Sequence, residues 1–150
     1  MDLMMGTRPD IAYAIGKLSR FASNLSGAHF AALNRTPYYI NNTNCFYLKF
    51  VQRNKGSAIN LEGHVDSDYA GDKSNCRLVT GYTLFIADCT FSWHSKQQSV
   101  VATSSSHAEY IALFKATQQV LWLNSMYQQL RLTLPDPINI YCDSVSLSYG

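Results

Sequence analysis

The sequence predicts an α/β domain: a three-stranded antiparallel meander, then a crossover helix and a fourth strand, with two helices ahead of them. Three observations carry this. From Cys45 to Lys96 the chain passes through short segments rich in β-branched and aromatic residues, divided by polar turns. From Ser104 to Leu130 small and apolar residues recur at three- and four-residue steps. After the break TLPDP comes one more apolar run, INIYCDS, which ends in an acid.

The helical segment, residues 1–44, comes first. In PDIAYAIGKLSRFA (9–22) the residues Ile11, Ala14, Ile15, Leu18, Phe21 and Ala22 share a helical face, and Pro9 suits a first turn. A second helix begins at Ala28 and is expected to stop before Pro37, since an interior proline costs about 3 kcal/mol. NNTN (41–44) reads as a turn.

The α/β part, residues 45–150, follows. CFYLKFV (45–51) and SAINLEGHVDSDY (57–69) read as strands joined by RNKGS, and GDKSNCR (71–77) as a polar loop. LVTGYTLFIAD and CTFSWHSK form a hairpin with its turn near Asp88. In the long helix, Ala108, Ala112, Ala116, Val120, Leu123, Tyr127 and Leu130 form the expected buried stripe, with serines ahead as cap candidates. Helix then strand after a hairpin implies a crossover.

Composition narrows the function classes. A 47% hydrophobic content over 150 residues is enough for a packed core, so disorder is excluded. The net charge of +2 is too small to announce a nucleic-acid partner, although a local basic stripe is what such a partner reads. Cys45, Cys76, Cys89 and Cys142 include no CxxC pair, which argues against structural zinc. Cys89 and Cys142 sit in apolar runs, where a reduced buried thiol is the ordinary reading, so an intracellular, reducing compartment is expected. The N-terminus is not a signal peptide, and no run approaches membrane-spanning length.

The carboxylates are the functional candidates. Asp66 and Asp68 are two apart on one strand and face the same way. Asp143 ends the last strand, where open sheets with a crossover gather ligands. Glu109 lies near the start of the long helix. Acids on separate elements are ordinarily just solvated. If these converge, a set of hard oxygen ligands favours Mg²⁺ or Mn²⁺, and two such ions suit phosphodiester hydrolysis.

GTRPDIAYAIGKLSRFASN, HVDSDYAGD, TGYTLFIADCTFSWHSKQQSVVATSSSHAEYIAL and IYCDS together resemble the C-terminal part of copia-type retrotransposon pol polyproteins. That part runs from the end of the reverse transcriptase into the ribonuclease H domain. The resemblance implies a ribonuclease H-like fold that hydrolyses the RNA strand of RNA–DNA hybrids with two Mg²⁺ or Mn²⁺ ions. It implies Asp66, Glu109 and Asp143 as the catalytic, metal-holding acids, with Asp68 and Asp72 shaping the loop. It also implies the remainder of a pol polyprotein as partner and a location in the cytoplasm, the nucleus or virus-like particles; no membrane partner is expected, since no apolar run is long enough to span one.

The chain departs from the family pattern in three places. His107 stands where the family commonly has an acid, and is expected to face solvent in the helix's first turn. NRTPYYINNT (34–43) replaces a basic helix end. A further helix, a fifth strand and a fourth carboxylate of the family are not found before Gly150, so the domain is read as C-terminally truncated. The alternative is therefore a catalytically inactive remnant with weak or no nucleic-acid binding. A serine–histidine hydrolase fails: Ser106 and His107 are helical neighbours that do not face each other, and no GxSxG exists.

Overall fold

The computed structural model describes residues 2–51, 60–68, 78–132 and 137–143. RNKGS, GDKSNCR with Asp72, and most of TLPDP lie outside the described residues, as does the side chain of Asp68. The chain divides into two compact units, Met1–Lys49 and Phe50–Gly150.

The first unit is helical: α1 (Asp2–Gly6), a 3-10 turn (Pro9–Ile11), α2 (Ala12–Ser19) and α3 (Gly27–Asn42). Pro9 opens the 3-10 turn, where its missing N–H costs nothing. The helix expected over 9–22 is thus split and shorter.

The expectation that the next helix stops before Pro37 is corrected: α3 runs through it to Asn42. Tertiary contacts hold the turn beyond the proline. Arg8, 6% exposed, donates to both carboxylate oxygens of Asp10, to Thr43 Oγ1 at 2.7 Å and to the Thr43 carbonyl at 3.3 Å. Its guanidinium lies 5.8 Å from the Tyr39 ring centroid. Thr43 in turn donates to the Tyr39 carbonyl. These contacts tie the last turn of α3 to the loop before α2.

The second unit holds β1 (Leu61–Asp68), β2 (Val79–Ile86), β3 (Cys89–Gln97), α4 (Ser105–Gln129) and β4 (Asn139–Cys142). The sheet order is β3-β2-β1-β4, with β1–β2 and β2–β3 antiparallel and β4 parallel to β1. This is an α/β arrangement on a mixed four-stranded sheet, a meander followed by a helix that returns the chain beside β1. Ala87 and Asp88 turn the β2–β3 hairpin with φ of 52° and 64°, the pair of positive φ values that a two-residue turn between twisted strands demands. The strand expected at 45–51 is not formed. Phe46, Tyr47, Phe50 and Val51 are exposed and no described strand pairs with them, so their β-propensity has no ladder to join.

Strand alternation and the α4 stripe build the core. Leu61, Gly63, Val65 and Ser67 are buried, while Glu62, His64 and Asp66 alternate with them. Ala112 and Ala116, both 0% exposed, let α4 approach Val65 closely. Further along, Val120 and Leu123 pack on Leu61 and Leu84. Each fully buried leucine contributes about 1.5–3 kcal/mol. Of the expected stripe, Leu130 is exposed, because α4 ends at Gln129 and Leu130 caps it beyond the sheet. The other sheet face carries His64 stacked on Tyr141 at 5.2 Å and edge-on to Phe85 at 5.5 Å. Within the second unit, α4 packs on the opposite face.

Candidate functional site

The site forms where the N-terminal turns of α4 meet the end of β4. Ser104 caps α4: its hydroxyl accepts from the His107 amide at 3.1 Å. His107 reaches back, its Nδ1 accepting from the Thr103 amide at 3.3 Å. His107 is half-buried and ties the residue before the cap to the helix, which corrects the expectation of a solvent-facing residue. At the start of α3 the histidine bonds one position later: His29 accepts from the amide of the N-cap Ser26 itself, which completes a capping box. The helix start that carries Glu109 is thereby held by local hydrogen bonds.

Glu109 is only 8% exposed. A carboxylate at that depth requires polar company. Cys142 supplies some of it, its Sγ donating to Glu109 Oε2 at 3.1 Å. Asp143 completes a group in which one ligand atom each from Glu109, Cys142 and Asp143 lies within 4.8 Å of the others. Asp143 follows the last paired residue of β4, so it is free of the ladder. Two of the three acids expected to converge are thus brought together, from elements far apart in sequence.

Asp66 is not one of that group. It is exposed on β1 and stands opposite Gly81 of β2. The parallel register pairs Val65 with Cys142, so Asp66 and Asp143 are each one residue beyond the last pair of neighbouring strands. Alternation sends the Asp66 side chain away from the face on which Val65 meets α4. Its neighbour Ser67 is 7% exposed, and its Oγ has no hydrogen-bond partner among the described residues.

The residues fit a hard divalent cation in part. Two carboxylates match the few protein oxygens that Mg²⁺ takes while keeping its waters. The thiol is the misfit, being a softer donor that engages one oxygen of Glu109. Reading the sequence alone missed this role of Cys142. Its place next to Asp143 was visible, but which side chain it would meet depended on where α4 lies.

No family model and no solved structure matches the chain. Curated relatives do. The chain is 42% identical over 123 residues to the secreted RxLR effector protein 161 of Plasmopara viticola, covering 82% of this chain and 84% of that protein. It is 35% identical over 145 residues to the retrovirus-related Pol polyprotein from transposon RE1 of Arabidopsis thaliana, covering 95% of the chain and 10% of the polyprotein. It is 38% identical over 146 residues to the corresponding polyprotein from transposon TNT 1-94 of Nicotiana tabacum, covering 97% and 11%. The chain spans about a tenth of these polyproteins. Matched along nearly its whole length to Pol polyproteins and along most of its length to the effector protein, the chain belongs to the family of retrotransposon Pol-derived sequences.

Proposed function

We propose that this chain is a ribonuclease H-type endonuclease segment of a copia-type pol polyprotein, hydrolysing the RNA strand of RNA–DNA hybrids inside the cell. The observation that supports it best is the approach of carboxylate oxygens of Glu109 and Asp143 to within 4.8 Å of each other, across α4 and β4. The strand order and the parallel β1–β4 pair agree with a ribonuclease H-like fold. In this reading Glu109 and Asp143 would hold an ion, and Asp66, level with Asp143 but turned from the α4 face, would have to swing round the strand end to join them. A pair of Mg²⁺ or Mn²⁺ ions, when bound, would lower the pKa of a water and steady the leaving oxygen of the phosphodiester. The capped helix start keeps Glu109 in place, and burial against Cys142 limits water around it. The remainder of a pol polyprotein would be its natural partner.

Two observations favour the alternative of a catalytically inactive remnant. Asp66 stands apart from the other acids, and Cys142 occupies an oxygen of Glu109.

Hybrid cleavage separates the two. The purified chain is incubated with a labelled RNA–DNA hybrid and Mg²⁺ or Mn²⁺. An active nuclease cuts the RNA strand, and Asp66→Asn, Glu109→Gln and Asp143→Asn each abolish the cut. No cleavage by the wild-type chain at any metal concentration leaves the remnant.

A further inference from the structure

The donors where α4 meets β4 are not those of a purely hard-ion site. Glu109 offers an oxygen from the first turns of α4, Cys142 a sulfur from the last residue of β4, and Asp143 an oxygen just beyond it, all within 4.8 Å of one another. They are graded in depth: Glu109 is buried, Cys142 half-buried and Asp143 exposed, so the cluster opens to solvent at Asp143. The Glu109 carboxylate has the Cys142 thiol as its one hydrogen-bond partner among the described residues, and no lysine, arginine or histidine of those residues pairs with it. A neutral thiol gives a buried carboxylate no counter-charge, so the site calls for a cation.

The chemistry of the three donors selects among cations. Mg²⁺ takes oxygen ligands in near-ideal octahedra and keeps several waters. Thiolate suits Zn²⁺, which also stands above Mn²⁺ in the affinity order of the divalent ions. Around one tetrahedral Zn²⁺, with sulfur at ~2.3 Å and oxygen at ~2.0–2.2 Å, a sulfur and an oxygen ligand are about 3.6 Å apart. Cys142 Sγ and Glu109 Oε2 are 3.1 Å apart across the thiol hydrogen. Small rotations of the two side chains would therefore admit an ion in place of that proton. Three protein ligands, with a fourth position open on the exposed side at Asp143, make a four-coordinate set.

We infer that Glu109, Cys142 and Asp143 form a Zn²⁺ site, with Cys142 as the thiolate ligand that selects zinc over Mg²⁺ and Mn²⁺. On binding, the Cys142 S–H bond breaks, an S–Zn bond forms and the proton passes to water; no electron is transferred. The buried Glu109 thereby gains the counter-charge that a neutral thiol does not supply. Zinc held there would keep Mg²⁺ and Mn²⁺ from Glu109 and Asp143 and so inhibit hybrid cleavage. That consequence, unlike the binding itself, rests on the nuclease reading above.

Cobalt, a spectroscopic stand-in for zinc, tests the inference on the full chain with no nucleic acid present. Co²⁺ is expected to give a near-ultraviolet thiolate-to-cobalt charge-transfer band, which stoichiometric Zn²⁺ removes and a large excess of Mg²⁺ does not. Cys142→Ser should abolish the band. It should also weaken Zn²⁺ binding, read by competition with a zinc-responsive dye, by about a hundredfold, since losing supporting contacts alone costs ~10–100-fold. Cys45→Ser, at an exposed thiol, should keep the band. Should Cys142→Ser fail to fold, Asp143→Ala at an exposed position still probes the site and should weaken Zn²⁺ binding by about tenfold or more. A missing band, a band that survives Cys142→Ser, or displacement by Mg²⁺ overturns the inference. Zinc affinity unchanged in Asp143→Ala overturns it as well. A band without Mg²⁺-dependent hybrid cleavage defeats the nuclease reading alone, and cleavage without the band defeats the zinc site alone. Where both hold, cleavage that continues at saturating Zn²⁺ overturns the inhibition.

Discussion

The Cys142 thiol donates to Glu109 Oε2 at 3.1 Å, joining the last paired residue of β4 to a nearly buried acid of α4. The contact links two elements whose closest sequence relation is a crossover. Removing the donor leaves part of a buried carboxylate unsatisfied. Cys142→Ala is expected to lower stability by about 1 kcal/mol, and Cys142→Ser, which keeps a donor, by less. Urea unfolding of the two variants checks this. Equal losses would show that the site needs the sulfur's volume rather than its hydrogen.

Pro37 lies inside α3, where it provides no N–H for the helix ladder. Pro37→Ala should therefore stabilise the helical unit, by up to about 3 kcal/mol. Thermal unfolding followed at the helical circular dichroism band measures it. A drop in stability would mean that the proline ring is needed where it stands.

Two glycines of the sheet should respond oppositely to alanine. A Cβ at Gly63 would stand 3.0 Å from Leu84 Cδ2 and 3.5 Å from two carbons of Ile140. Leu84 is fully buried and has little room to yield, so Gly63→Ala should cost about 1–3 kcal/mol. At Gly81 the nearest atom is the Asp66 carbonyl oxygen at 3.7 Å, an ordinary contact. Gly81→Ala should gain about 0.4–1 kcal/mol by restricting the unfolded chain. Denaturant midpoints of the pair decide it, and matching signs would refute the packing argument.

His94 gives the second unit a pH dependence of definite sign. Its folded pKa lies below the ordinary 6.5 because burial, and then Lys96 and Lys115, disfavour the imidazolium. The unfolded chain thus takes up a proton first as pH falls. Stability should hold above about 6.5 and decline as pH drops from there toward the lower folded value. Unfolding midpoints across this range, compared with His94→Gln, isolate the contribution. An unchanged profile in the variant would assign the decline to other groups.

The acids and their elements were legible in the sequence because strand and helix periodicities are local. HVDSDYAGD gave a strand carrying Asp66, and SSSHAEY gave a capped helix carrying Glu109. Other features were hidden for identifiable reasons. Pro37 obeys a local rule that the Arg8–Asp10–Thr43 contacts outweigh. CFYLKFV has strand composition, yet a strand also needs a partner to bond. His107 departs from an acidic position, and only the folded loop ahead of α4 brings the Thr103 amide to its Nδ1.

The sequence by itself determined the α/β order, the core-facing stripe through Ala108, Ala112 and Ala116, and the acids worth watching. Those follow from spacing and side-chain chemistry within a few residues. Only the tertiary structure decided which acids meet: Glu109 and Asp143 with Cys142 between elements, Asp66 on the adjoining strand outside that group. The reason is geometric. Convergence depends on the register of β4 against β1 and on where α4 crosses the sheet, and both are set by contacts between residues distant in the chain.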